Sequence, residues 1–211
     1  MTNKRVRLRV FLIGLTVFVL LIVGYVTLIA SKNTAGNLFI SYMADPEADS
    51  IVFFWKDDNG KLFRNIRSVK AYVENKGEAL IFAMNGGMFK TDNSPQGLFI
   101  EQFKTVMPLD TSSGDGNFYL KPNGVFYLTA NNTPVVCKTE EFQNNNLIKY
   151  ATQSGPMLVI DGEIHSVFKK GSNNLNIRNG VGILPNGKIV FIISKAAVNF
   201  YDFAAYFKSL G

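Results

Sequence analysis

The most sustained hydrophobic run lies near the N-terminus. No residue from Val10 to Ser31 is charged, and the stretch FLIGLTVFVLLIVGYVTLIA fills Phe11 to Ala30. At 1.5 Å of helical rise per residue it spans about 30 Å, the thickness of a bilayer hydrocarbon core. The pattern therefore predicts a transmembrane anchor over residues 10–31, between a basic flank (1–9) and a linker (32–37). A cleaved secretory signal is the competing reading. Its apolar core would be shorter, about 7–15 residues, and Leu28 fits poorly with the small-residue rule for cleavage after Ala30.

Beyond the linker the pattern changes to short apolar runs broken by turn residues. Leu38–Tyr42, Ile51–Trp55 and Ala79–Met84 read as strands, and Asp57–Gly60 reads as a turn. Asn65–Asn75 places Ile66, Val69, Ala71 and Tyr72 at roughly helical spacing. In the second half, three pairs of apolar runs flank Pro122-Asn123-Gly124, Asp161-Gly162 and Asn186-Gly187. Asn-Gly and Asp-Gly supply the positive φ angles of tight hairpins, so antiparallel pairing is expected. Val198–Leu210 carries Phe200, Phe203, Ala204 and Phe207 at i, i+3, i+4 and i+7, an amphipathic helix. The expected fold is α+β: a mixed, mainly antiparallel sheet with flanking helices, preceded by one N-terminal transmembrane helix. Residues 38–211 are long enough for one domain and leave little room for two.

Charge sharpens this picture. The chain carries 22 basic and 16 acidic residues, a net charge of +6, but Lys4, Arg5, Arg7 and Arg9 all precede the anchor. Without them the balance is nearly neutral, which excludes the usual basic footprint of a nucleic-acid binder. The same four charges orient the anchor with its N-terminus in the cytoplasm, held by membrane lipid, and its domain periplasmic or extracellular. Cys137 is the only cysteine, so an intrachain disulfide and a cysteine-rich zinc site are both excluded. Oligomeric state is not encoded in any visible pattern.

Three segments combine glycine with polar side chains. In Ala83–Phe89 (AMNGGMF), a strand would deliver Asn85, and Gly86 and Gly87 would let backbone N–H groups approach a ligand. In Ala151–Leu158 (ATQSGPML), Gln153 and Ser154 precede a Gly155-Pro156 break. In Asn176–Gly182 (NIRNGVG), Arg178 stands before an apolar strand, where a guanidinium forms a natural fork for an anionic oxygen, especially phosphate. Each has a plainer alternative: a strand-ending turn, a self-satisfied loop and a surface salt bridge. His165, the lone histidine, reads as structural. HExxH, P-loop, GxGxxG and GxSxG patterns are absent, and neither a cofactor nor a metal cluster is expected.

Taken in order, AMNGGMF (83–89), SPQGLFIE (94–101), GNFYLKPNGVFY (116–127), ATQSGPMLVIDG (151–162), RNGVG (178–182) and FIISKAAVNFYDFA (191–204) resemble the phosphodiester glycosidase domain. That family includes the lysosomal N-acetylglucosamine-1-phosphodiester α-N-acetylglucosaminidase, and the spacing is similar to its smaller bacterial branch. The resemblance implies hydrolysis of a sugar-1-phosphodiester at the sugar–oxygen bond, with a carbohydrate phosphodiester as substrate. It implies that Arg178 takes the phosphate, assisted by Lys195. Asn85, Gly86 and Gly87 would bind sugar hydroxyls or a phosphate oxygen, Gln153, Ser154 and Gly155 would line the pocket, and Asp92 would activate water. Asp202 is expected to cap or lie on the surface of the last helix.

Two departures stand out. Relatives usually turn on a glycine where this chain has Glu101-Gln102-Phe103. They also continue into a further strand ending in Leu-Asp-Gly, which is expected to be missing after Gly211. The second departure keeps a different class open, a non-catalytic, membrane-anchored module that binds glycan phosphates. A structural envelope protein is the third possibility.

Overall fold

The computed structural model describes residues 38–211, of which Ser41–Gly211 form one compact unit. The predicted anchor over 10–31, with its flank and linker, lies outside the described residues. Among the described residues no helix is long and apolar enough to cross a membrane.

The elements, in chain order, are β1 (Phe39–Ala44), α1 (Ile66–Asn75), β2 (Phe99–Glu101), β3 (Lys104–Met107), β4 (Gly124–Thr129), β5 (Pro134–Lys138), β6 (Ile148–Ser154), β7 (Val159–Ile160), β8 (Glu163–Ile164), β9 (Asn179–Ile183), β10 (Ile189–Ser194) and α2 (Phe200–Lys208). They form a five-stranded sheet in the order β3-β2-β6-β4-β5, a three-stranded sheet β1-β10-β9, and the small β7-β8 ribbon. The pairings β2–β3, β2–β6, β4–β5, β4–β6, β7–β8 and β9–β10 are all antiparallel. An α+β fold dominated by antiparallel sheet is thus what the alternating pattern produces.

Strand β4 shows how the alternation builds two cores. Phe126 and Leu128 join Tyr150, Ala44 and Ile189 in one cluster, with Phe53, Val181 and Phe191 packed against it. The opposite face presents Val125 to Leu98, Ile100, Ile148 and Ala151, with Tyr127 and Phe142 alongside. Successive side chains of a strand point to opposite faces, so one six-residue strand serves both clusters. Both faces of the larger sheet are therefore covered, and one of them by the smaller sheet.

The helices start where the sequence places caps. Asn65 Oδ1 accepts from Ser68 N at 2.9 Å, opening α1. Asn199 Oδ1 accepts from Asp202 N at 2.8 Å, opening α2, and Asn199 Nδ2 donates to the Asp202 carboxylate at 2.8 Å. Asp202 is thus a capping partner in the first helical turn, where a carboxylate suits the helix dipole. Phe203 and Ala204 are buried, and the Phe207 ring lies against Gly180 and Gly182 of β9. A Cβ at Gly180 would come within 3.0 Å of that ring, so these glycines let the helix settle on the strand.

Three local expectations are corrected. Ile51–Trp55 and Ala79–Met84 belong to no strand among the described residues. Their aromatic side chains are fixed by stacking instead, Phe82 on Tyr42 at 4.6 Å and Phe53 near Tyr150 at 5.2 Å. The hairpin expected across Pro122-Asn123-Gly124 does not form, because Asn117–Tyr119 is a 3-10 turn and β4 pairs with β5 and β6. By contrast, the hairpins at Asp161-Gly162 and Asn186-Gly187 form as expected. At the β2–β3 turn, Gln102 and Phe103 adopt φ of 48° and 67°, so two non-glycine residues occupy left-handed positions.

Candidate functional site

A cleft of about 990 Å³ is lined by β4–β7, β9, α2 and the Met84–Phe89 loop. It brings together Asn85, Gly86, Gly87, Ser154, Gly155 and Arg178, which lie on three segments far apart in sequence.

Arg178 is the most constrained of these. Its backbone N–H donates to Ser194 Oγ at 2.8 Å, and its carbonyl accepts from Ser194 N at 2.8 Å, which fixes it just before β9. The side chain is only 7% exposed. Nε donates to Val198 O at 2.9 Å, and Nη2 donates to Asn174 O at 2.8 Å. The guanidinium carbon sits 3.4 Å from the centre of the Phe200 ring. Nη1 takes no part in these bonds. Among the described residues Arg178 forms no ion pair. Burial alone pushes the guanidinium below its ordinary value, although it stays a cation at any physiological pH. The plainer alternative, a surface salt bridge, is thus not found among the described residues. A cation held by neutral acceptors on a cleft wall keeps its charge uncompensated, and an unpaired buried charge is costly.

The Ala83–Phe89 segment reaches the same wall. Asn179 Nδ2 donates to Asn85 O at 3.2 Å and to Asn85 Oδ1, tying the loop to β9 one residue after Arg178. The two glycines differ. A Cβ at Gly87 would run into Thr152 Oγ1 and lie 3.0 Å from Gln153 O, so close packing on β6 requires that glycine. Gly86 has nothing within 4 Å and leaves open space beside the cleft. No strand delivers Asn85; its tie to β9 positions it instead.

From β6 the cleft receives Ser154 and Gly155. Gln153, between the cleft residues Thr152 and Ser154, points elsewhere and is fully buried. Its Oε1 accepts from Leu98 N and Asp110 N, both at 3.0 Å, and its Nε2 donates to Asp110 O at 2.7 Å and Thr139 Oγ1 at 3.3 Å. With its capacity filled by protein groups, Gln153 pins the chain around the sheet and does not line the cleft. Lys195 is exposed and also outside the lining. Asp92 sits in an exposed turn, accepting from Ser94 N at 2.9 Å and Ser94 Oγ at 2.6 Å. These bonds hold its carboxyl below the usual carboxylate range. It is not among the cleft residues.

Comparison with known proteins decides the family. The phosphodiester glycosidase model matches residues 78–211. The chain belongs to the phosphodiester glycosidase family. An Escherichia coli (strain K12) protein described as uncharacterized protein YigE is 36% identical over 169 residues, covering 80% of this chain and 66% of that protein. The chain thus spans about two thirds of that relative's length. Among solved structures, the zebrafish N-acetylglucosamine-1-phosphodiester alpha-N-acetylglucosaminidase catalytic domain, auto-inhibited by its pro-peptide, aligns with a TM-score of 0.48 and 17% identity. That alignment covers 82% of this chain and 72% of the zebrafish one.

For a phosphodiester glycosidase, the cleft also presents groups that the sequence alone did not single out. Asn176 and Asn179 flank Arg178, and Phe89 is largely exposed at the lining. Lys138, Glu141 and Asp161 share the wall. Glu141 forms a 3.2 Å ion pair with Lys138 and accepts from the Lys138 backbone N–H at 3.3 Å, which holds its carboxyl below the usual range. Asp161 takes part in no hydrogen bond among the described residues. Its Asp-Gly turn signal was legible, but the folding of that ribbon onto the cleft was not. Among the described residues no group of three potential ligands could hold a metal ion.

Proposed function

We propose that the domain is a hydrolase of sugar-1-phosphodiesters of the N-acetylglucosamine-1-phosphodiester type, acting on envelope glycans from a membrane-anchored position outside the cytoplasm. The observation that carries the chemistry is Arg178: a buried cation with no ion pair among the described residues, on the same cleft as Asn85, Gly86 and Gly87. Membrane anchoring rests on the uncharged run over 10–31 and the basic flank before it.

A phosphate monoester is already a good leaving group, so the site's main tasks are charge stabilisation and placement of water. In the proposed reaction, water attacks the anomeric carbon as the sugar–oxygen bond breaks. The bonding pair leaves with the phosphate oxygen, and Arg178 stabilises the charge that accumulates there. Asn85 and the backbone of Gly86 and Gly87 hold sugar hydroxyls, and Ser154 lines the same space. The proton of the water passes to a cleft carboxylate. Asp161 takes this role in place of Asp92, since Glu141 is engaged by Lys138.

The test is release of N-acetylglucosamine from an N-acetylglucosamine-1-phosphodiester by the full chain. Turnover is expected, falling by about 100-fold or more in Asp161→Asn if that carboxylate is the general base. Binding without turnover would instead support the second reading, a glycan-phosphate binding module. Absence of both would overturn the two readings together.

A further inference from the structure

Between residues 88 and 96 the chain doubles back on itself. Gln96 N donates to Met88 O at 2.9 Å, Phe89 and Pro95 form an antiparallel β-bridge, and Lys90 N donates to Ser94 O at 2.8 Å. The turn closes on Asn93, which has a φ of 65° and donates its N–H to Lys90 O at 2.9 Å. Trp55 Nε1 donates to Asn93 O at 2.9 Å and ties the tip to the body of the domain. With its backbone groups paired rung by rung and its tip tethered, the segment is a short arm of fixed shape.

This arm brings a ring and an amide to the cleft. Phe89 and Gln96 both belong to the lining and stand on neighbouring rungs. Phe89 is 58% exposed, and the other exposed aromatic side chain among the described residues, Phe103, lies outside the lining. The Phe89 ring stacks on no other ring among the described residues. The Gln96 side chain enters no hydrogen bond there either, whereas the Gln153 amide is fully used. A lone exposed apolar residue on an ordinary surface needs no explanation. Here a built arm holds it on a cleft wall beside an unused amide, and apolar surface with a few placed polar groups is the composition of a small-molecule site. The arm is also close to the cation. Asn85, bonded to Asn179 next to Arg178, precedes Phe89 by four residues, which span at most about 14 Å. One short run of chain thus serves both the anion-binding and the ring-bearing walls.

We infer that the 88–96 arm selects a pyranose ring: Phe89 stacks on the C–H face of the sugar, and the Gln96 amide bonds the hydroxyls at its rim. The face of an aromatic ring is electron-rich and the ring hydrogens of a pyranose are slightly positive, so the contact is attractive as well as apolar. A flexible polyol offers no such flat face and loses more freedom on binding. The inference rests on the proposed function and adds to it. Arg178 accepts any phosphate ester, and the arm makes the cleft discriminate glycosyl phosphates from acyclic polyol phosphates of the same charge.

Two ligands test it by calorimetric titration of the full chain, N-acetylglucosamine-1-phosphate and glycerol 3-phosphate. The unmodified chain is expected to bind the sugar phosphate about tenfold or more tighter. In Phe89→Ala that ratio is expected to fall toward one through loss of sugar phosphate affinity, with glycerol 3-phosphate unchanged. Phe89→Tyr keeps the ring and is expected to keep the ratio, and Gln96→Leu, which keeps an apolar stem, is expected to lower it by a smaller factor. Hydrolysis of the N-acetylglucosamine-1-phosphodiester gives a second readout. Phe89→Ala is expected to raise KM with kcat nearly unchanged, because stacking is made equally in the ground and transition states. A ratio that survives either Phe89→Ala or Gln96→Leu, a Phe89→Tyr that behaves like Phe89→Ala, or a loss confined to kcat overturns the inference, while turnover by the unmodified chain leaves the function standing. If the unmodified chain neither binds the sugar phosphate nor hydrolyses the diester, both fall.

Discussion

Two buried polar side chains, Gln153 and Arg178, sit in regions that look alike in the sequence and differ in the structure. Each belongs to a glycine-bearing motif next to an apolar run, and each is removed from solvent. Around Gln153 the larger sheet and its flanking loops supply two donors and two acceptors, and every bond is to protein. Around Arg178, β9 and the segments before and after it supply only neutral acceptors and an aromatic face, and the positive charge has no counter-ion among the described residues. The difference separates architecture from function. A buried group whose needs are met internally holds the fold, whereas one left with uncompensated charge on a cleft wall is equipped to meet a ligand.

The sharpest way to break this comparison is Arg178→Ala. Loss of a buried donor that stabilises transition-state charge typically removes about 3–4 kcal/mol of transition-state binding. Turnover of the N-acetylglucosamine-1-phosphodiester is expected to fall by about 100-fold or more, read as initial rates of sugar release. The unfolding midpoint is expected to move less than in the Gln153 variant, because removing the guanidinium also removes the burial of an unpaired charge. Near-normal turnover would transfer the phosphate to another residue and dissolve the contrast.

Gln153→Ala probes the other side. It leaves the N–H groups of buried Leu98 and half-buried Asp110 without the acceptor that serves both. Each unsatisfied buried donor costs about 1–3 kcal/mol, so a loss of about 3 kcal/mol in unfolding free energy is expected in urea titration. Gly97 reinforces the expectation: its φ of +79° and its contact with the Gln153 amide show a backbone shaped around that side chain. A variant that stays fully stable but loses turnover would place Gln153 in the chemistry after all.

The same pair shows how far the sequence could be read. Periodicity identified both helices, and turn chemistry identified the β7–β8 and β9–β10 hairpins, because those signals are local. The convergence of Asn85 with Arg178 on one cleft followed only from the family resemblance, since no local rule brings Asn85 against Asn179, 94 positions away. Gln153 was misplaced for a related reason. Strand alternation predicts that neighbours face opposite sides, but not which side carries the cleft, and Ser154 and Thr152 took it. Ala79–Met84 has strand composition, yet aromatic stacking of Phe82 fixes it without a ladder. Lys138, Glu141 and Asp161 left no signal as a group, because β5, the 3-10 turn after it and the β7–β8 ribbon meet only in three dimensions.

The smallest expected effect belongs to Asp92, the acidic residue that the resemblance favoured. Its carboxylate is committed to the Ser94 hydroxyl and backbone N–H in an exposed turn and does not line the cleft. Asp92→Asn keeps an acceptor oxygen in the same place, so turnover is expected to stay within about twofold of the unmodified chain, an ordinary outcome for a surface substitution. The pH dependence gives an independent check. The folded-state carboxyl is held below its ordinary value, chiefly by the Ser94 hydroxyl, so its contribution to stability is present above the unfolded-state value and disappears as pH falls through the folded-state value. Comparing unfolding midpoints of the two proteins from neutral pH into the acid range should show any difference shrinking toward the acid end, with activity at neutral pH unaffected. A large loss of turnover in Asp92→Asn with unchanged stability would return this carboxylate to the reaction and remove the assignment to Asp161.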